Sequence, residues 1–397
     1  MGRLRVSAAQ VIGLGCRLNI AESERIGEIL TGQRELVVIN SCSVTSEAVR
    51  HTRRAIRRAR RNNPLARLIV TGCAAETERT QLALMPEVDE IVSNTAKLDP
   101  ASYGVPAPGR VAPVARIRTR AFVPIQNGCD HACTFCIIPQ GRGSSRSVSV
   151  AAVLEHVEAH LARGVAEIVL TGVDVTSWGA DLAGAPGLGD LVGSILGAFP
   201  ELTRLRLSSL DGAEIDPLLE DLIANEARVM PHLHLSLQHG DDLILKRMKR
   251  RHRRSDAEAL VARLRDRRPG IAIGADLIAG FPTETDEHHQ ANISLVRELG
   301  IVHGHVFPFS PRHGTPAARM PQLDHATTSS RAAELRAAVA TTRAEWLASL
   351  VGTPLLVLAE RDNRGYAENY ARVATPGIAP GTVATIIPTA IEDDLLR

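Results

Sequence analysis

Short apolar runs alternate with amphipathic stretches along the first hundred residues. Val11–Leu14, Leu36–Ile39 and Leu68–Val70 each end at small or polar residues, and the stretch 48–61 has the periodicity of a helix. Short runs rich in β-branched residues are typical of buried strands in a parallel sheet. The pattern predicts a doubly wound α/β domain over residues 1–105.

A longer alternation of strand and helix patterns follows a Pro- and Gly-rich linker predicted at Pro100–Pro113. Helical patterns such as 151–163 and 286–299 separate most of its strands, and a long Ala- and Arg-rich helix near 327–350 ends it. Six βα units predict a parallel (β/α)6 barrel or partial barrel over residues 115–350, with functional residues at the carboxyl ends of the strands. The candidate strands are Phe122–Ile125, Glu167–Leu170, Arg204–Leu207, His232–Leu235, Ile271–Leu277 and His303–Phe307.

The last part of the chain changes character. Leu355–Leu358, Tyr366–Val373 and Val383–Ile387 alternate or run apolar, with glycines at the turns between them. These features predict a small all-β module over residues 351–397.

Composition excludes some classes of protein. The 397 residues carry a formal net charge of only +2, and 3% of them are aromatic, which argues against modules that stack bases on aromatic-rich sheets. No stretch reaches the ~20 apolar residues that a membrane helix needs, and no signal peptide is visible. We therefore expect a cytoplasmic protein whose six cysteines are not disulfide-bonded.

Three of the cysteines are dispersed. Cys16, Cys42 and Cys73 each follow one of the predicted N-terminal strands. Ligands of doubly wound sheets gather at the carboxyl ends of the strands, so these three thiols are predicted to share one edge of the sheet. The alternative is that each is a small buried residue that packs a strand end.

The other three cysteines are compact. Cys129, Cys133 and Cys136 form a C-x3-C-x2-C run just after the first barrel strand. Three thiolates this close can hold three irons of a [4Fe–4S] cluster and leave the fourth iron open to a small molecule. A structural zinc site needs four ligands, and His131 is the available fourth. The spacing favours the cluster over zinc.

The C-x3-C-x2-C run at the end of a first barrel strand resembles the radical S-adenosylmethionine (SAM) superfamily. The N-terminal segments resemble radical SAM methylthiotransferases, the tail resembles their RNA-binding TRAM domain, and the match covers nearly the whole chain. The N-terminal segments are Gly15–Asn19, Asn40–Thr45 and Thr71–Ala74. The closest resemblance is to the MtaB type, through Cys133–Pro139, Leu207–Leu210, His232–Gln238, Val306–Ser310 and Gly314–Met320. Ser236 and His239 depart from residues common in that type.

This resemblance implies the cofactors, the partner and the reaction. The cofactors would be SAM and two [4Fe–4S] clusters, and the barrel cluster would cleave SAM to a 5′-deoxyadenosyl radical. The partner would be tRNA, and an electron donor would reduce the enzyme. The enzyme would place a methylthio group on C2 of N6-threonylcarbamoyladenosine next to the anticodon. The cluster ligands would be Cys16, Cys42 and Cys73 at the sulfur carrier, and the catalytic Cys129, Cys133 and Cys136 at the radical generator. SAM would contact Thr171, Gly172, Gln238, Asp276, Gly280, Arg142 and Arg146.

Three alternatives remain at this point. The same chemistry could act on isopentenyladenosine in tRNA or on a ribosomal-protein aspartate, and a non-catalytic iron–sulfur RNA-binding protein is also possible. For threonylcarbamoyladenosine we expect donor groups near the base from Arg142, Arg146 and Arg206. Two basic runs, 50–61 and 246–254, suggest an RNA footprint on a nearly neutral chain.

Overall fold

The computed structural model describes residues 8–106 and 119–397. In these ranges the strands are β1 (Gln10–Gly13), β2 (Leu36–Ser41), β3 (Arg67–Gly72), β4 (Glu90–Ile91), β5 (Arg120–Pro124), β6 (Gln126–Asn127), β7 (Arg146–Ser147), β8 (Glu167–Thr171), β9 (Leu205–Leu207), β10 (His232–Gln238), β11 (Ala272–Ala279), β12 (Ile301–Pro308), β13 (Leu355–Ala359), β14 (Arg364–Tyr366), β15 (Arg372–Ala374), β16 (Val383–Ile386), β17 (Ile391–Glu392) and β18 (Leu395–Leu396). The helices are α1 (Arg17–Ile29), α2 (Ser46–Asn62), α3 (Cys73–Thr77), α4 (Arg79–Ala83), α5 (Ile138–Arg142), α6 (Val150–Leu161), α7 (Leu188–Ala198), α8 (Pro217–Asn225), α9 (Asp242–Arg247), α10 (Arg254–Arg267), α11 (Asp286–Glu298) and α12 (His325–Leu350).

The chain forms two compact units. The first contains the described part of Met1–Arg116 together with Asn127–Ser145 and Ser310–Thr315. The second contains the described part of Ile117–Gln126 together with Arg146–Phe309 and Pro316–Arg397. The division into domains at 1–105, 115–350 and 351–397 stays a prediction.

The first unit is built on a parallel sheet with the strand order β1-β2-β3-β4. Strands β2 and β3 are almost entirely buried, as their continuous apolar runs predict. Helix α2 begins after Thr45, whose side chain accepts a hydrogen bond from the Ala48 amide at 3.1 Å. It buries Val49, Ile56 and neighbouring residues against the sheet, which confirms the crossover helix predicted over 48–61.

The second unit contains six parallel strands in two halves, β5-β8-β9 and β10-β11-β12. A parallel bridge between Leu210 and Leu235 joins the halves. One hydrophobic core, which includes Val123, Leu170 and Leu277, lies between these strands and the surrounding helices. The α/β fold with a (β/α)6 partial barrel is confirmed.

The C-terminal sheet has the order β16-β13-β14-β15-β18-β17, so the tail is an all-β module as predicted. The prediction of a strand over Tyr366–Val373 was wrong, because β14 and β15 form an antiparallel hairpin around residues 367–371. Tyr370 in this turn has a φ of +72°, which a continuous strand cannot contain.

A buried ion cluster joins this module to the amino-terminal ends of barrel strands. The fully buried Glu167 forms ion pairs with Arg120 at 2.9 Å, Arg204 at 3.0 Å and Arg206 at 2.9 Å. Arg206 then donates to the carbonyls of residues 367 and 368, and its guanidinium lies 4.6 Å from the centre of the Tyr370 ring. One carboxylate therefore orients three arginines that hold the C-terminal hairpin.

Helices within the described ranges are too short or too polar to cross a membrane. The linker predicted over Pro100–Pro113 is described only at its start, where Pro100–Tyr103 form a 3-10 turn. Its residues from 107 onward lie outside the described residues.

We predict that Glu167→Gln destabilises the protein by about 3–5 kcal/mol, because three buried arginines lose their shared counter-charge. The measurement is the urea midpoint of unfolding, followed by circular dichroism. The exposed Glu201 is the matched control, and Glu201→Gln should change stability by less than about 0.5 kcal/mol. Equal midpoints for the two variants would contradict a supporting role for the cluster.

Candidate functional site

The dispersed cysteines meet at the carboxyl edge of the N-terminal sheet. The parallel register pairs Gly13 with Asn40 and Ser41 with Gly72, so β1, β2 and β3 end at nearly the same level. Cys16, Cys42 and Cys73 follow these three ends. We call this set the N-terminal triple.

Glycine makes this convergence possible. Gly15 has a φ of +96°, and a Cβ atom there would lie 2.7 Å from the Cβ of Cys42 and 2.9 Å from its Sγ. Any larger residue at position 15 would therefore collide with a thiol of the N-terminal triple.

The N-terminal triple offers the right donors for a cluster. Burial raises the pKa of Cys42 to about 11, and the neighbouring Cys73 and Cys16 add to that shift. Burial also raises the pKa of Cys73, which is coupled to Cys16 as well. An iron cluster would supply the positive charge that stabilises these thiols as thiolates.

A buried ionic network lies against these thiols. Glu22 pairs with Lys97 at 2.5 Å and accepts two hydrogen bonds from Arg142, at 2.9 and 3.0 Å. All three residues are less than 5% exposed. Burial alone would raise the pKa of Glu22, but the two cations hold it below its ordinary value. The network leaves one net positive charge beside Cys16 and Cys73, and sequence reasoning missed it because its members are 75 and 45 residues apart.

The compact triple of Cys129, Cys133 and Cys136 lies in the loop before α5, in the same unit. The amides of His131 and Ile138 donate to the sulfurs of Cys129 and Cys136, each at 3.4 Å. Such N–H···S bonds are typical of cysteines that hold iron–sulfur clusters. Three thiols with backbone donors directed at two of them fit a [4Fe–4S] cluster.

Tight backbone contacts fix this loop. The Cys129 amide donates to the Gly143 carbonyl at 3.1 Å. Gly128 has a φ of +79°, and a Cβ atom there would lie 1.9 Å from the Ser144 carbonyl oxygen. The segment is therefore shaped by backbone packing and needs glycine beside the first cysteine of the compact triple.

Arg142 connects the two triples. It donates to Asn127 Oδ1 at 2.8 Å, two residues before Cys129, while the rest of its guanidinium binds Glu22 and Asn19. The adjacent Gly141 packs against Cys73, because a Cβ atom there would lie 3.3 Å from the Cys73 Cβ.

Other predicted site residues lie in the second unit. Thr171 ends β8, Gly172 follows it, and a Cβ atom on Gly172 would lie 2.9 Å from the Gln126 carbonyl oxygen. Gln238 ends β10 with a φ of +69°, and Gly280 follows β11 with a φ of +72°. Arg146 lies in β7. The structure thus places Thr171, Gly172, Gln238 and Gly280 at strand ends, as a barrel site requires.

Asp276 belongs to a cluster inside the barrel that sequence reasoning missed. Its Oδ1 atom lies 3.1 Å from both His234 Nε2 and His305 Nδ1, and its Oδ2 accepts from Ser209 at 3.1 Å. Burial raises the pKa of Asp276, but the two imidazoles outweigh it and hold that pKa far below its ordinary value. The sequence feature that could have predicted this cluster is the pair of alternating histidines in His232–His234 and in His303–His305.

Comparison with known proteins identifies the family. The family model of the Radical SAM superfamily matches residues 123–296, and that of the uncharacterized protein family UPF0004 matches residues 8–93. The threonylcarbamoyladenosine tRNA methylthiotransferase MtaB of Rickettsia prowazekii is 42% identical over 92% of this chain and 90% of its own. The chain belongs to the MtaB family of radical SAM methylthiotransferases.

Two further relatives are named for two different adenosine substrates in tRNA, and one solved structure shares the fold. MtaB of Aquifex aeolicus is 32% identical over 92% of this chain and 95% of its own. A tRNA-2-methylthio-N(6)-dimethylallyladenosine synthase of Paracoccus denitrificans is also 32% identical, over 88% of this chain and 85% of its own. The radical SAM methyltransferase TsrM from Kitasatospora setae shares the fold, with a TM-score of 0.54, 17% identity and coverage of 79% of this chain and 77% of its own.

MtaB-family proteins use SAM and two [4Fe–4S] clusters. The structure changes the roles expected of two arginines. Arg142 is committed to Glu22, and Arg206 to Glu167, and both side chains are buried. These ion pairs disfavour the expected contact of either arginine with a substrate carboxylate, because each already neutralises a buried carboxylate of its own unit.

Two departures from the MtaB type have local explanations. His239 is buried, with Nε2 lying 3.2 Å from Glu284 and Nδ1 accepting from the Asp241 amide at 3.0 Å. Ser236 lies 3.2 Å from Ser209, hydroxyl to hydroxyl. Both residues therefore belong to hydrogen-bonded networks within the second unit.

We predict about eight irons per chain after anaerobic reconstitution, because each triple should hold one four-iron cluster. Cys42→Ser and Cys133→Ser should each reduce the load to about four, since each removes one ligand set. The measurement is iron, sulfide and zinc content per chain. A stable zinc site with about four irons or fewer in the unmodified chain would contradict the assignment of two clusters.

Proposed function

We propose that this chain is the tRNA N6-threonylcarbamoyladenosine C2-methylthiotransferase of its cell. The observation that carries the proposal is the 42% identity, over 92% of the chain, to an MtaB named for that substrate. The division of all six cysteines into two sets of three supports it, because the reaction needs a sulfur carrier and a radical generator.

The two triples take different roles in this proposal. The compact triple leaves one iron open for SAM, and the N-terminal triple leaves one open for sulfur. When bound, the clusters and two SAM molecules supply a methylated sulfur and a radical that removes hydrogen from C2 of the adenine.

The protein's own residues would bind SAM and stabilise the thiolates of the N-terminal triple. Gly172 and Gly280 allow the backbone to approach a ligand closely. We assign them, with Thr171, Gln238 and Asp276, to the SAM side of the barrel. Lys97 and Arg142 compensate the thiolate charge of the N-terminal triple, and Glu22 holds them in place.

Recognition of the threonylcarbamoyl group needs donors other than Arg142 and Arg206. His305 is 63% exposed in its side chain and is held by Asp276, so it can present a polarised imidazole to a ligand in the barrel. Arg146 is an exposed cation on β7. These two residues are our candidates for contact with the carboxylate or ureido group.

The partners follow from the reaction. The proposed substrate is tRNA, and the C-terminal β module would contribute to its binding. A reducing electron donor would supply the electron for SAM cleavage. Because tRNA is modified in the cytoplasm, we propose that location for the enzyme.

We predict that the reconstituted enzyme modifies an anticodon stem-loop carrying threonylcarbamoyladenosine and rejects the isopentenyl analogue by roughly 10⁴-fold in kcat/KM. The bound base would cover the candidate donors His305 and Arg146, and a site that hydrogen-bonds a polar substituent leaves such covered donors unpaired when the substituent is apolar. Product is measured by nucleoside mass spectrometry. Comparable turnover of both stem-loops would refute the substrate assignment and leave the methylthiotransferase chemistry intact.

Two cysteine variants separate the proposed chemistry from a binding function. Cys133→Ser should abolish SAM cleavage, whereas Cys42→Ser should retain it and form no methylthio product. If the unmodified reduced enzyme cleaved no SAM, the non-catalytic alternative would replace the proposal. Product on ribosomal protein and none on RNA would favour the ribosomal alternative.

A further inference from the structure

The arginines of α2 are not equivalent. Arg53 pairs with Glu78 at 3.6 Å, Arg57 with Glu87 at 3.8 Å, and Arg60 with Asp89 at 2.5 Å. These side chains point toward the β3 side of the helix and are neutralised within the first unit. The arginines of the basic run 50–61 therefore do not all present an unpaired charge.

Three other arginines of α2 form a stripe without ion-pair partners in the described part of the chain. Arg54, Arg58 and Arg61 lie at positions i, i+4 and i+7, so they share one face of α2. All three are exposed, and within the described residues no carboxylate forms an ion pair with them. The stripe extends roughly 10 Å along the helix axis.

This stripe borders a groove. A cavity of about 530 Å³ lies between α2 and the edge strand β1, and Arg54 and Arg58 line one wall of it. Ile12 of β1 and Leu14, which directly follows β1, contribute to the other wall. None of the described residues that line this β1–α2 groove is acidic.

One end of the groove lies near the N-terminal triple. Leu14 lines this end and is two residues before Cys16. His51 also lines it, from the second turn of α2, the helix that follows Cys42 in the chain. Gln10 and Asn62 line the opposite end. An extended ligand bound in the groove would therefore run along β1 toward the carboxyl edge of the sheet, where the N-terminal triple lies.

We infer that the β1–α2 groove binds the RNA strand that flanks the modified adenosine. Phosphates would meet the unneutralised stripe of Arg54, Arg58 and Arg61, and a ribose or base face would cover Ile12 and Leu14. Arginine suits this role because its planar cation both pairs with phosphate and stacks on bases. The inference rests on the proposed function, since it takes a tRNA as the substrate delivered to the N-terminal triple.

The test uses the full chain with both clusters and an anticodon stem-loop carrying threonylcarbamoyladenosine. One variant combines Arg54→Gln, Arg58→Gln and Arg61→Gln. The matched control combines Arg50→Gln, Arg53→Gln and Arg57→Gln, which removes the same charge from the same helix at arginines that already have acidic partners. Fluorescence anisotropy gives Kd at several salt concentrations.

The groove variant should lose about 2 to 3 from the slope of log K against log salt, because each lost phosphate contact removes roughly 0.7 to 0.9. The control should lose less than about 1. The groove variant should also raise KM for the stem-loop and keep kcat at saturating RNA, since no catalytic group is changed.

Equal salt slopes for the two variants, or no change in either slope, would overturn the inference. The stripe would then be a solvent-exposed face or a binding surface for an acidic protein. Absence of stem-loop binding by the unmodified chain would overturn it too. Failure of the proposed function has a different readout. In that case the unmodified chain gives no methylthio product, whether or not the two variants differ in salt slope.

Discussion

Three thiols from three separate strands must meet at one edge of a parallel sheet, and much of the first unit is arranged around that requirement. The register of β1, β2 and β3 brings Cys16, Cys42 and Cys73 to the same level. Burial makes the thiolates of Cys42 and Cys73 costly, so positive charge has to be supplied nearby. Lys97 and Arg142 provide it, and Glu22 is the carboxylate that makes two buried cations tolerable.

Arg142 also contacts the loop that holds the compact triple. Its hydrogen bond to Asn127 fixes the residue before Gly128, where the cluster loop turns. A single guanidinium thus touches the environment of both cysteine sets, which is consistent with a reaction in which a radical made at one set must meet sulfur held at the other. The second unit uses the same device at Glu167, where one buried carboxylate organises three arginines.

The sequence predicted what depends on local periodicity and missed what depends on distant partners. Strand and helix patterns located the sheet, the barrel and α2, because a buried strand or an amphipathic helix leaves its period in the sequence. The hairpin at 367–371 was missed because a tyrosine with positive φ carries no signal in the pattern. The buried ion pairs of Arg142 and Arg206 were not predicted because their partners, Glu22 and Glu167, lie far away in the chain. The Asp276 cluster likewise needs three strands to come together.

The most direct test of the central claim is nucleoside mass spectrometry of tRNA from a strain that lacks this gene. The account predicts that 2-methylthio-N6-threonylcarbamoyladenosine disappears and that its unmethylthiolated precursor accumulates. The unmodified chain should restore the product, and Cys42→Ser, which lacks one ligand of the N-terminal triple, should not. An unchanged level of that nucleoside, or loss of only the methylthio-isopentenyl nucleoside, would contradict the claim.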